Sequence, residues 1–397
     1  MSSDKGARRR DFLKTAALAG GVTLPSAPAA DAQQDISFRA EAQPRLEIEY
    51  PRRFIGSSLQ MISFPLGGIG AGSIGLGGRG QLRDWEICNR ADKGNSPDYA
   101  FASIWAKAGD GKPVTRVLES QIQPPYEGQD GLGSRNAPGL SRLDTATFIG
   151  EFPLATIEFH DRDLPLNVRL EAGTPFIPLE ADDSGLPIAV LRYRMRNTGS
   201  VPVAASIAFS IDNPVRSLTA KRNAQPDGRT NELRRVSGLQ GVFMHNPSLD
   251  HKDPAFGSFV LAVLERDGGD ISILKGWPAA RWWTSPLLFW DDFSDDGQLS
   301  PNAGRTGPVA SVCVKHNIKP RQEAVCAFLL AWHFPNRTPE RCGWPAPKGH
   351  EKTIIGNWYA TRFSDAWAAA SYATGVLGPL EERTRQFAAA FRDSTAP

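Results

Sequence analysis

Three pairs of neighbouring acids stand out in the 397-residue chain: Asp182-Asp183, Asp291-Asp292 and Asp295-Asp296. Two carboxylates that converge on one bond can divide acid, base and nucleophile roles between them. Adjacent residues on a strand, however, point to opposite faces. Turn and cap roles are therefore expected for these pairs. The run Asp291-Asp292-Phe293-Ser294-Asp295-Asp296-Gly297 hints at a calcium loop, but it lacks the regular ligand spacing and terminal Glu of an EF-hand. The six histidines are scattered, with His245 and His251 in a polar loop and His333 in a strand. Their spacing makes no metal or catalytic cluster, and neither metal nor cofactor is expected.

Four tryptophans, Trp277, Trp282, Trp283 and Trp290, form the other candidate site. Aromatic faces stack on sugar rings and on apolar protein surfaces with comparable ease, so these residues are read either as packing or as a substrate or interdomain contact. The four cysteines, Cys88, Cys313, Cys326 and Cys342, show no C-x-x-C spacing and hence no zinc pattern. Cys313 and Cys326 are placed symmetrically about a turn near Lys319-Pro320. A cross-strand disulfide and two buried free thiols both fit that placement, and the thiols are the preferred reading.

The elements that must position these residues are strands. Alternating or β-branched segments occur at 46–50, 155–159, 166–170, 188–196, 203–211, 241–244, 259–264, 271–274, 309–315 and 323–332. Turn residues such as Asn197-Thr198-Gly199 and Asp267-Gly268-Gly269 bound them. Segments 188–195 and 203–210 read as a hairpin. Helical spacing is expected only near the end, at 365–372 and 379–391. The run from Phe64 to Trp85 contains Gly68-Ile69-Gly70-Ala71-Gly72, superficially a nucleotide loop. Gly75, Gly77, Gly78 and Gly80 would break the helix such a loop must open, so tight backbone crossings in a sheet are expected instead. The fold class is all-β: a large antiparallel β-sandwich with a short C-terminal helical linker.

Composition agrees. Thirty-eight glycines and 31 prolines punctuate short apolar segments. A net charge of +2, with acids and bases mixed, suggests neither nucleic acid nor an anionic membrane as partner. At the N-terminus, Arg8-Arg9-Arg10 precedes Asp11-Phe12-Leu13-Lys14, a modest apolar run at 15–24, and small residues around 27–32. This is a twin-arginine export pattern, with cleavage after Ala30 or Ala32. The run is well short of the roughly 20 residues that span a bilayer, so no transmembrane anchor is expected. The exported product is expected in the periplasm or outside the cell.

Several blocks carry a family resemblance. Phe64-Pro65-Leu66-Gly67-Gly68-Ile69-Gly70-Ala71-Gly72, with Arg79-Gly80 and Trp85 behind it, resembles the opening of the family 116 glycoside hydrolases, the group of non-lysosomal glucosylceramidases and bacterial β-glucosidases. Pro175-Phe176-Ile177-Pro178-Leu179 with Asp182 to Pro187, Phe289-Trp290-Asp291-Asp292-Phe293, and Leu330-Ala331-Trp332-His333-Phe334-Pro335 are similar to its later blocks. The resemblance implies a β-sandwich followed by an (α/α)6 barrel that carries a Glu nucleophile and an Asp acid/base about 5 Å apart. Phe391 to Pro397 looks like the entry into that barrel, and the blocks bearing the two carboxylates have no counterpart in this sequence. No catalytic residue is therefore assigned.

The implied organisation is an export signal at 1–32, a sandwich at 33–360 and a helical linker at 361–397. The expected function is the non-catalytic part of a secreted β-glucosidase or glucosylceramidase-like enzyme, inactive alone and partnered by the barrel in cis or as a separate chain. β-Glucosides or glycolipid are the implied substrates. The alternative is a stand-alone exported module that binds carbohydrate or protein.

Overall fold

The period-two pattern at 154–160 forms strand β9 (Leu154–His160), which buries Ala155, Ile157 and Phe159 and leaves the alternate side chains partly open. The structure is a computed structural model that describes residues 50–124, 137, 139–216, 228–280, 284–301 and 306–394. Residues 1–32, read above as an export signal, and Trp282 and Trp283 lie outside the described residues.

Strand β9 belongs to a nine-stranded sheet. Its order is β1 (Arg52–Ile55), β8 (Thr145–Glu151), β9, β10 (Asn167–Gly173), β11 (Ile188–Arg196), β18 (Glu323–His333), β15 (Ser258–Leu264), β14 (Leu239–His245) and β13 (Thr230–Val236). A six-stranded sheet runs β16 (Asp270–Leu274), β17 (Val309–Ile318), β12 (Val203–Asp212), β5 (Phe101–Ala108), β6 (Val114–Ser120) and β7 (Arg142–Leu143). All of these pairings are antiparallel except β6 with β7. A small third sheet joins β2 (Ser63–Leu66), β3 (Ile74–Gly77) and β4 (Leu82–Arg83). The helices among the described residues are α1 (Ala181–Ser184), α2 (Thr284–Asp296), α3 (Pro339–Cys342), α4 (Tyr359–Arg362) and α5 (Ala366–Arg392).

The main core lies between the two large sheets. Leu191, Tyr193, Phe328 and Leu330 from one meet Ile104, Ile207, Phe209 and Val312 from the other. Full burial of a large apolar side chain contributes about 1.5–3 kcal/mol, so this layer dominates the cohesion of the fold. The outer face of the nine-stranded sheet, including Val190, Val260 and Leu329, is covered by Trp367, Ala370, Ala373 and Leu377 of α5. Asp365 caps that helix by accepting a 2.8 Å bond from the Ala368 amide. On the outer face of the six-stranded sheet, Phe289 and Phe293 of α2 pack against Phe101, Trp105 and Ala208.

Two expectations about connections are corrected. Segments 188–195 and 203–210 do not form a hairpin. Strand β11 pairs with β10 and β18, whereas β12 pairs with β17 and β5 in the other sheet. Asn197 makes the corner, its side-chain amide donating to the Val201 and Ile318 carbonyls. Strand β12 buries nine of its ten residues, and β11 six of its nine including the first four in a row, so alternation could not tell a hairpin from a sheet change. Strands β17 and β18 likewise leave the turn for different sheets, so Cys313 and Cys326 are not cross-strand partners. Both are free and buried, and burial pushes the Cys313 thiol up to about 12.

Helix α2 is the other correction, since helical spacing was expected only near the C-terminus. Phe289 and Phe293, four apart, form its buried stripe. The aromatic and acidic residues between them hide that spacing in the sequence.

Candidate functional site

The residues marked by the sequence divide in the structure. Trp277 is 1% exposed, stacks on Phe289 at 4.6 Å and touches Tyr99 at 5.0 Å. Its Nε1 donates to Ser311 Oγ at 2.8 Å. Both its apolar and polar needs are met internally, which makes it the pin between α2 and the six-stranded sheet. Trp290 is half-buried at the margin of the same cluster. Beside it on α2, Leu287 and Leu288 are exposed.

The aspartate pairs lie on helices rather than on strands, and Asp182, Asp183, Asp292 and Asp296 accept hydrogen bonds within the fold. Asp182 accepts from Trp358 Nε1 at 2.6 Å, and Asp183 from the Tyr372 hydroxyl at 3.1 Å. Asp292 accepts from the Ser300 amide at 2.9 Å and Asp296 from the Gln298 amide at 2.8 Å. Among the described residues no group of three or more His, Cys, Asp or Glu side chains could hold a metal ion.

The glycine-rich run forms the crossing from β2 to β3, as its close packing required. A Cβ on Gly68 would lie 2.4 Å from the Leu186 carbonyl oxygen. The turn is clamped by the Gly68 and Ile69 amides, which donate to the Leu186 and Ser184 carbonyls, and by Trp332 Nε1, which donates to the Ala71 carbonyl at 2.7 Å. The chain then enters the loop after β4, fixed by Asp84, which accepts from Ser63 Oγ and the Gly94 amide at 2.5 Å each. Burial works against the Asp84 carboxylate, but these hydrogen bonds and the nearby Arg83 hold it below the usual range.

This loop and the segment around α3 line two neighbouring pockets. One pocket, about 260 Å3, is lined by residues including Trp85, Asp98, Asp212, Arg216, Phe334 and Arg341. The other, about 270 Å3, includes Gly70, Gly72, Arg337, Trp344 and Asn357. Arg90 lines both. Several charges are neutralised locally. Arg90 pairs with Asp92 at 3.3 Å, Lys93 with Glu86 at 2.9 Å, and Asp212 with Arg216 at 2.5 Å and Arg229 at 2.8 Å. Burial pushes the Asp212 carboxyl up against the opposing pull of those two arginines.

Arg341 differs. Its Nε donates to the Cys88 carbonyl at 3.0 Å, while Nη2 is buried without a partner. Burial pulls its guanidinium below the ordinary arginine value. Arg337 Nε and Trp85 Nε1 are also buried and unpartnered. The sequence reading assigned no site here. Trp85 and the block ending at Pro335 carried the family resemblance, yet nothing in the spacing showed that Cys88 and Arg341, 253 positions apart, would touch.

The fold places the protein among large antiparallel β-sandwiches with a helix on each outer face. The chain belongs to the beta-glucosidase 2, glycosyl-hydrolase family 116 N-terminal family, whose sequence profile matches residues 63–377. Two solved structures show a distant likeness. One, assigned as a kojibiose phosphorylase from the human microbiome, is 9% identical, with 87% of this chain and 38% of that one covered and a TM-score of 0.36. The other, a polysaccharide lyase, is 11% identical, with 71% and 32% covered and a TM-score of 0.30. This chain thus spans well under half the length of each.

Proposed function

We propose that this protein is the non-catalytic β-sandwich part of an exported β-glucosidase or glucosylceramidase-like glycoside hydrolase, acting with an (α/α)6 catalytic barrel in cis or as a separate chain. Residues 1–32 direct twin-arginine export to the periplasm or beyond, 33–360 form the sandwich, and 361–397 lead toward the barrel. The observation that carries this reading is the family match over 63–377. Retaining hydrolysis needs two carboxyl groups about 5 Å apart on either side of the scissile bond. Asp182, Asp183, Asp292 and Asp296 instead accept hydrogen bonds within the fold, which supports placing the chemistry on the companion domain.

The segment from Trp277 to Trp290 is the proposed interdomain and substrate-mouth contact. Because Trp277 is enclosed, that role falls to Trp282, Trp283 and Trp290, with the exposed Leu287 and Leu288 beside them. Co-expression with the barrel tests the reading: the two should co-purify and hydrolyse β-glucosides or a glycolipid together. Trp282→Ala and Trp283→Ala in the complete enzyme should raise KM, and an unchanged KM would remove them from the substrate mouth. Arg8→Lys with Arg9→Lys should leave the protein in the cytoplasm, whereas export of that variant would contradict the twin-arginine assignment.

A further inference from the structure

We propose, on the functional reading above, that the companion catalytic domain seats on an apolar surface built around α1 at one end of the sandwich, with Leu179 as the side chain that inserts into it. Leu179 is fully exposed, and its φ of +68° lies in the left-handed region that a leucine disfavours. Such strain persists only where the surroundings impose it, and it gathers at binding sites. The surroundings of Leu179 do impose it. Arg383 of α5 pairs with Glu180 at 3.4 Å, Trp358 donates to Asp182 at 2.6 Å, the Tyr372 hydroxyl donates to Asp183 at 3.1 Å, and the Ile69 amide donates to the Ser184 carbonyl at 2.7 Å. These bonds gather Ile69, Leu179, Trp358 and Tyr372 around α1, and all four are exposed.

The surface continues along a row of rings. Phe152, Phe176, Phe387 and Phe391 follow one another at 5.4, 4.9 and 6.1 Å, and the two end members are exposed. Arg392 fixes the end of α5 there by pairing with Glu151 at 3.0 Å. Three observations select the occupant. Glu180, Asp182 and Asp183 are already partnered, so the surface offers hydrocarbon rather than charge, and grouped exposed apolar side chains mark interaction sites where scattered ones do not. The polypeptide leaves α5 at Phe391, so a domain that follows this helix starts against the same surface. Finally, α1 lies in the connection that enters β11 at Ile188, opposite Ala331 near the end of β18, and Phe334 just beyond β18 lines one pocket with Asp212. Asp212 faces Val309, whose carbonyl accepts from the Trp277 amide. A partner over α1 therefore sits at the end of the sandwich where the Trp277 segment begins.

Calorimetric titration of the full chain with the separately expressed companion domain tests this. Asparagine tolerates the left-handed conformation, so Leu179→Asn should melt no lower than the wild type while binding the domain about thirtyfold more weakly, the margin of a hot-spot side chain. Ile69→Asp and Phe391→Asp, both at exposed positions, should each weaken binding about tenfold. Raising the salt to about 0.5 M should change the affinity less than about twofold, since the contact is apolar. Undiminished binding by the folded variants would overturn the proposal and leave the functional reading standing, with the partner docked elsewhere. Failure of the wild-type chain to bind the domain would overturn both. A dimer of the chain alone in sedimentation equilibrium that Leu179→Asn dissolves would make a second copy the occupant, and that too would overturn the proposal.

Discussion

The aromatic cluster beneath α2 and the charged cleft meet at two consecutive residues, since Tyr99 touches Trp277 while Asp98 lines the cleft. They are built on opposite terms. In the cluster, rings fill the volume and the indole N–H of Trp277 reaches Ser311. Around the two pockets that make up the cleft region, Arg337, Arg341 and Trp85 each keep one donor buried without a hydrogen-bond partner. Tryptophan density in the sequence pointed at the first region, while unmet hydrogen-bonding capacity in the structure points at the second. An aromatic side chain that satisfies itself belongs to stability. Buried donors without a partner lower stability where they stand.

The sharpest way to break this contrast is Trp277→Ala, which should cost about 3–5 kcal/mol by leaving a large cavity and an unpaired Ser311 hydroxyl. Urea unfolding measures it, and a loss below about 1 kcal/mol would remove Trp277 from the core. Gly68→Ala comes next. Its methyl would press on the Leu186 backbone, costing about 1–3 kcal/mol and shifting the clamped turn that floors the cleft. Unchanged melting would show that the turn yields freely.

A smaller effect is expected from pH. Burial pulls the imidazoles of His316 and His333 below the ordinary histidine value of 6.5, so the folded state takes up those protons less readily than the unfolded chain. Their contribution to stability is complete above about pH 6.5 and is lost as the pH falls below it. Thermal midpoints should drop through that window, and His333→Gln should flatten the drop. The smallest effect belongs to the cleft. Arg341→Met should change stability by about 1 kcal/mol or less, because it removes an unpaired buried cation along with one hydrogen bond. A loss as large as that of Trp277→Ala would erase the distinction between the two regions.

The strands of the sandwich were legible because β9 and its neighbours alternate in the sequence as they do in space. The sheet changes were not. Asn197-Thr198-Gly199 has the composition of a hairpin turn, and only the long-range bond from Asn197 to the Ile318 carbonyl sends the chain to the other sheet. Helix α2 was hidden for a different reason, its two-phenylalanine stripe being diluted by four aspartates. The glycine run was read correctly as close backbone packing, since crowding leaves a direct compositional trace. The cleft left none. Its walls join the loop after β4, the end of β12 and the segment around α3, and its character depends on which arginines find acids and which do not.

The most direct test of the account is the hydrolysis of a chromogenic β-glucoside by the purified chain, measured alone and with the companion barrel added. Turnover should be absent alone and appear only with the barrel. Clear hydrolysis by this chain alone would contradict the proposal that the chemistry lies on a companion domain.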